Sequence, residues 1–213
     1  RAGMRAADRD RHPADPNRER IAPERPRVER FDDHALVEAR LDRFVRDHLA
    51  PALYRDARPL AARAWTVPGE PVSFAHAIEQ PFEPVPLGWN WGRAWSTVWF
   101  RVQGELPHEW IASLPPNTRI EVLVDFGYNR SRSGFQAEGL AYRADGTLIK
   151  SIAPLNSYVP WSVDHGPIDI FLEAAANPDV AGEYSFDPTP LGAWDSAPEE
   201  PLYSLTQLEV ALL

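Results

Sequence analysis

RIEVLVDF (119–126) is the stretch that decides the fold. Ile120, Val122, Val124 and Phe126 alternate with Arg119, Glu121, Leu123 and Asp125. A two-residue rhythm sends successive side chains to opposite faces, which is the signature of a strand with one face on a core. The same rhythm recurs on either side. In STVWFRV (96–102), Val98, Phe100 and Val102 face one way, and Thr97, Trp99 and Arg101 the other. IDIFLEA (168–174) sets Ile168, Ile170, Leu172 and Ala174 on one side, and LTQLEVALL (205–213) does so with Leu208, Val210 and Leu212. Asp145-Gly146 sits between two short strand-like runs in GLAYRADGTLIK (139–150), a hairpin signal because Gly accepts the positive φ of the turn. Pro-rich loops divide the runs, and the 22 prolines suit loops and sheet edges, where a missing N–H is harmless. Several alternating strands with little helix predict a mainly β fold over residues 61–213, an antiparallel β-sandwich or jelly roll.

Upstream the period changes. In FDDHALVEARLDRFVRDHLAP (31–51), Val37, Leu41, Phe44, Val45 and Leu49 lie on one stripe at helical spacing. Asp32 is the expected N-cap, Phe31 staples onto Leu36, and Pro51 ends the helix near Ala50. The one-sided stripe predicts that this arm, residues 31–60, packs on something. Residues 1–30 mix Arg, Asp, Glu and Pro with few large apolar side chains, and are expected to be a disordered or extended tail.

Composition narrows the function classes. The net charge of −9 argues against nucleic acid, whose phosphates need clustered Lys and Arg. The chain has no cysteine, so disulfides, thiolate metal sites and a Cys nucleophile are excluded, which fits a cytoplasmic protein. No apolar run approaches the roughly 20 residues of a membrane helix. The six histidines stand alone, without the spacing that puts two imidazoles on one face, so no metal site is expected here. Neither GYNRSRSG (127–134) nor GFQAEGL (134–140) forms the exposed-serine turn of a hydrolase, and no phosphate loop occurs. Asp125, Glu138 and Glu173 are carboxylates that a glycosidase pair would need, but each also has an ordinary place on a polar face or in a loop.

The tryptophan run LGWNWGRAWSTVWF (87–100) stands open to two readings. A Trp buries about 150–250 Å², which favours packing. It also stacks on the C–H face of a sugar. Trp95 and Trp99 alternate in phase, so their sheet face is either covered, by the helical arm or a neighbouring domain, or open to a ligand. Trp89 and Trp91, in a Gly-flanked loop, are the candidates for a ligand or an interface. The amide-bearing loops add Asn129, Gln136, Glu138, Glu173 and Asn177 as residues that line a sugar site or a contact with another domain, against the plain reading of turn chemistry.

The succession LDRFVRDHLAPALYRD (41–56), AWTVPGEPVSFAHA (64–77), WGRAWSTVWFRVQGELPHEW (91–110), GFQAEGL (134–140) and EAAANP (173–178) resembles the N-terminal region of cytosolic or vacuolar-type α-mannosidases of glycoside hydrolase family 38. The resemblance implies a galactose-binding-like sandwich behind a helical arm. It implies a non-catalytic role for these residues, with a separate catalytic domain downstream that cleaves α-mannosides and holds a divalent cation, usually zinc. Neither catalytic nor metal-ligand residues carry over, because no His-any-Asp motif is present. The expected partners are that catalytic domain, a second copy of the chain, or a mannose-containing glycan. A free-standing carbohydrate-binding module is the alternative, and a compact single-domain glycosidase a third reading.

Overall fold

In the computed structural model, residues 33–129, 134, 136–178 and 195–213 are described. The tail over residues 1–30, the cap at Asp32 and the staple from Phe31 lie outside them. The chain divides into two units, Arg1–Arg43 and Phe44–Leu213. Helix α1 (His34–Phe44) begins in the first, where Leu36, Val37 and Leu41 are exposed.

The second unit opens with a correction. Pro51 predicts a stop near Ala50, but the backbone winds on through α2 (Ala50–Leu53). A π-helical turn, Val45–Leu49, precedes it, and the Ala50 N–H bonds back to the Val45 carbonyl. This widened turn shifts the hydrogen-bond register, so Pro51 falls in the first turn of a new helical segment, where no N–H is required. A second correction follows. Strand β1 (Arg55–Pro59) lies inside the stretch assigned to the helical arm. RDARP has no apolar alternation, and its extended form comes from pairing with the C-terminal strand across a bulge where Asp56 takes φ +52°. Its proline is tolerated because the strand is an edge.

The strands that follow are β2 (Ala61–Thr66), β3 (Glu83–Val85), β4 (Asn90–Arg93), β5 (Thr97–Gly104), β6 (Ile120–Asp125), β7 (Glu138–Arg143), β8 (Leu148–Ile152), β9 (Tyr158–Trp161), β10 (Ile168–Ala175), β11 (Pro201–Ser204) and β12 (Gln207–Leu212). They form a four-stranded sheet, β1-β12-β6-β9, a six-stranded sheet, β3-β2-β5-β10-β7-β8, and a ribbon, β11-β4. All pairings are antiparallel. The predicted sandwich is therefore the fold. Ile120, Val122, Val124, Leu208, Val210 and Leu212 of one sheet meet Val98, Phe100, Val102, Ile168, Ile170 and Leu172 of the other in a single core. The Asp145-Gly146 hairpin joins β7 to β8, with Gly146 at φ +87° and Asp145 Oδ1 accepting from the Thr147 N–H.

Both faces of the six-stranded sheet are covered. Trp99 and Phe171 point away from the main core into a second cluster with Val67, Ala77 and Phe82. Residues 67–82 supply the cover, a segment holding helix α3 (Phe74–Ala77), capped by the Ser73 hydroxyl. Phe74 packs edge-on against Trp99 and Phe171, with centroids at 6.0 and 5.6 Å. Left bare, this stripe would expose Trp99, Phe171 and Tyr142 together. Burying one Trp contributes roughly 4–6 kcal/mol gross, as an upper bound. Neither the helical arm nor another domain is needed to cover this face. Trp95, expected in strand phase with Trp99, instead sits in a turn at φ +68° and is 37% exposed.

Strand β6 departs from the alternation that announced it, because all six of its residues are buried. Leu123 and two acids share the outer face. Tyr54 Oη donates to Glu121 Oε2 at 2.7 Å. Asp125 Oδ1 accepts from the N–H groups of Gly127 and Tyr128, each at 2.9 Å, which shapes the turn after the strand.

Candidate functional site

Glu138 opens β7 and Glu173 lies in β10. Glu138 pairs with Ala175 and Glu173 with Leu140, two register positions apart on paired strands, so the two carboxylates share the outer face of the six-stranded sheet. Both line a cavity of about 420 Å³, together with Pro71, Thr97, Leu140 and Ser151. Glu173 is half-buried, and Tyr142 Oη donates to its Oε2 at 3.1 Å. Burial pushes the Glu173 carboxyl above the ordinary carboxylate range, against the opposing effect of the Tyr142 bond. Tyr142 is pushed up to about 12, first by burial and then by the negative charge of Glu173. Such a site can accept hydrogens from ligand hydroxyls and can hold a proton on Glu173. Lys and Arg are absent from its lining among the described residues.

The three amides come together as well, in a separate network. Gln136 is buried, its Oε1 accepting from the Asn129 N–H at 2.8 Å and its Nε2 donating to the Asn129 carbonyl at 3.0 Å. Asn177 Nδ2 donates to the Gln136 carbonyl at 3.3 Å, and Tyr203 Oη donates to the Asn177 carbonyl. Both polar atoms of the Gln136 amide are engaged by main chain. The network ties the loop after β6 to the exit of β10. Ser131 and Ser133 lie outside the described residues.

The two loop tryptophans separate. Trp91, expected in a loop and open to a ligand, lies in β4 and is 2% exposed. Its ring packs edge-on against Phe100 and Phe126, at 5.6 and 5.5 Å. The pairing of β4 with β11 puts the indole inside, and the flanking Gly92 lets Ala176 and Tyr203 approach where a Cβ would stand. Trp89 is partly buried, edge-on to Phe100 at 6.0 Å, and lines a cavity of about 480 Å³ with Thr66, Arg93 and Glu199.

A further cavity, of about 560 Å³, gathers residues that the alternation pattern leaves unremarked: Arg119, Glu121, Lys150 and Tyr158. The available signal is that Lys150 is the sole lysine of the chain. Among the described residues, no group of three or more His, Asp or Glu could hold a metal ion. No helix among them is long and apolar enough to cross a membrane.

Residues 58–211 match a family model described as the jelly roll domain of α-mannosidase. No curated protein matches the chain.

Proposed function

Since the chain belongs to the family of α-mannosidase jelly roll domains, a non-catalytic companion of that enzyme, we propose that it works by docking on an α-mannosidase catalytic domain. The observation that carries this reading is an apolar surface on the second unit. Phe44, Val45, Leu49 and Leu53 are 46–54% exposed, and the last three follow one another at four-residue spacing. Leu53 and Tyr54 border a groove of about 460 Å³ with Leu123 and Leu155, and Leu155 is 69% exposed. Contiguous apolar surface of this kind is covered in a working protein, because leaving it in water forfeits about 25 cal/mol per Å². The helical stripe thus does pack on something in this reading, namely the catalytic domain, whose mannoside cleft the docked sandwich helps to shape.

The test is co-expression with the catalytic domain of an α-mannosidase of the same type. The two co-purify in this reading. Val45→Asp combined with Leu49→Asp abolishes co-purification while leaving the melting temperature of the chain unchanged, because both side chains are exposed. Failure to co-purify, or capture that survives the double substitution, refutes docking through this surface.

A further inference from the structure

Ala175 forms the floor of a three-cornered recess on the outer face of the six-stranded sheet. It pairs with Thr97 of β5 on one side and with Glu138 of β7 on the other. Neighbouring strands lie about 4.8 Å apart, so only the small methyl of Ala175 separates two polar side chains on one face. Glu173, two residues back along β10, shares that face and closes the triangle. Pro71 and Leu140 add apolar surface to the cavity, whose volume is about 420 Å³. That falls within the roughly 300–1,000 Å³ of small-molecule pockets.

The three corners lack partners. Thr97 is only 5% exposed, yet its hydroxyl makes no hydrogen bond among the described residues. A buried hydroxyl is ordinarily bonded, because leaving it unmade is costly. Glu138 has neither a hydrogen bond nor an ion pair among the described residues. Glu173 has the bond from Tyr142 Oη to its Oε2, at 3.1 Å, which leaves Oε1 unengaged. Two like charges on neighbouring strands repel, and the half-burial of Glu173 weakens the screening by water. Lys, Arg and His are absent from the lining among the described residues. Lys150, next to Ser151 in sequence, is engaged elsewhere and donates to Asn156 Oδ1.

The charge pattern selects the ligand. An anion is repelled, and a neutral hydroxyl compound leaves the two carboxylates uncompensated. Two carboxylates are too few for a divalent cation, and no third acid stands near them among the described residues. A primary ammonium carries three hydrogens and no acceptor, which matches two carboxylates and one hydroxyl set around a point. A planar guanidinium suits such a triangle less well, because its fork is built for coplanar acceptors. The methylenes behind an ammonium find Pro71 and Leu140. We propose that this cavity binds a primary alkylammonium group, with Glu138, Glu173 and Thr97 each accepting one of its hydrogens. The group comes from a free alkylamine or from a lysine side chain of another protein. The inference goes beyond docking through the helical stripe and does not depend on it.

The test is a titration of the isotope-labelled 213-residue chain at pH 7 and fixed ionic strength, followed by nuclear magnetic resonance. Butylammonium and acetyl-lysine methylamide are the ligands. Tetramethylammonium, which has the charge without the N–H groups, butanol, magnesium and calcium are the controls. Butylammonium saturably shifts the main-chain amide signals of Glu138 and Ala175. Glu138→Gln, at an exposed position that the fold tolerates, weakens the binding at least about fivefold, the loss of one charge-assisted hydrogen bond. Thr97→Val, which keeps the shape and removes the hydroxyl, weakens it at least about twofold. Both variants keep the amide spectrum of the folded chain. Blocked lysine that binds as tightly as butylammonium identifies a side chain as the occupant, and its exclusion identifies a free amine. No saturable shift with butylammonium up to about 50 mM, where a millimolar site is nearly saturated, overturns the proposal. So does an equal response to tetramethylammonium, a response to butanol or to a metal ion alone, or an affinity that either variant leaves unchanged.

Discussion

Trp91 donates its indole hydrogen to the main-chain carbonyl of Phe126 at 3.0 Å, from inside the ring cluster that Phe126 itself helps to form. Packing and hydrogen bonding thus converge on one side chain, which lies in the core. Trp91→Ala is expected to cost about 3–5 kcal/mol, through lost burial, a residual cavity and an unpaired carbonyl. Trp89→Ala, at a partly buried position, costs less. Urea unfolding of the two variants checks the order, and an equal or reversed order contradicts the assignment of Trp91 as the keystone.

Gly127 follows the turn that Asp125 shapes. It takes φ +101°, and a Cβ there would lie 2.6 Å from the Ser204 carbonyl oxygen and 2.8 Å from the Ser204 nitrogen. Both neighbours are main chain and cannot rotate away. Gly127→Ala is therefore strained twice, by conformation and by contact, and should lower stability by about 2 kcal/mol or more. Gly69 makes the control, since a Cβ there meets nothing within 4 Å. Thermal melts that place Gly127→Ala level with Gly69→Ala would show that the approach of Ser204 is not as described.

The Glu173 carboxyl is held above its ordinary range by burial. A group with a raised folded pKa contributes stability that is full below the unfolded pKa and lost as pH rises through the folded value. At neutral pH the ionised Glu173 is consequently a liability. Glu173→Gln keeps an acceptor for Tyr142 and removes the charge. It should raise stability at pH 7, by less than about 1 kcal/mol because the carboxyl is half exposed and screened. The advantage vanishes near about pH 3.5, where the free carboxyl is already protonated. Urea midpoints at the two pH values decide it, and a variant less stable at pH 7 reverses the sign.

Wherever one sheet face met the main core, the fold could be read from residue alternation. Strands β5, β6, β10 and β12 each carry an apolar row that enters that core. The opposite faces were illegible, because what covers them comes from elsewhere in the chain. Glu121 looks solvent-facing by period, yet Tyr54, 67 residues away, reaches its carboxylate. The face of Trp99 reads equally as covered or as open to a ligand, and α3 closes over it. Strand β1 was hidden for a related reason, since its conformation is imposed by β12 rather than by its own residues. Among candidate site residues, Glu138 and Glu173 share a cavity because their strands pair, whereas pairing of β4 with β11 carries Trp91 inward.

Trp91 and Trp99 offer a matched comparison. Both are almost fully buried, at 2% and 0% exposure. Trp91 Nε1 has the Phe126 carbonyl, whereas Trp99 Nε1 has no hydrogen-bond partner among the described residues. Replacing either by Phe removes a similar volume and leaves a similar gap. At Trp91 it also strands a carbonyl, a further loss of about 1–3 kcal/mol. At Trp99 it removes an unsatisfied donor whose burial already weighs against the fold, which offsets part of the cavity term. Trp91→Phe should therefore be the more damaging by at least about 1 kcal/mol, although Trp99 is the more deeply buried. Equilibrium unfolding of both variants measures the difference, and equal losses would mean that burial alone, not the hydrogen bond, ranks these two side chains.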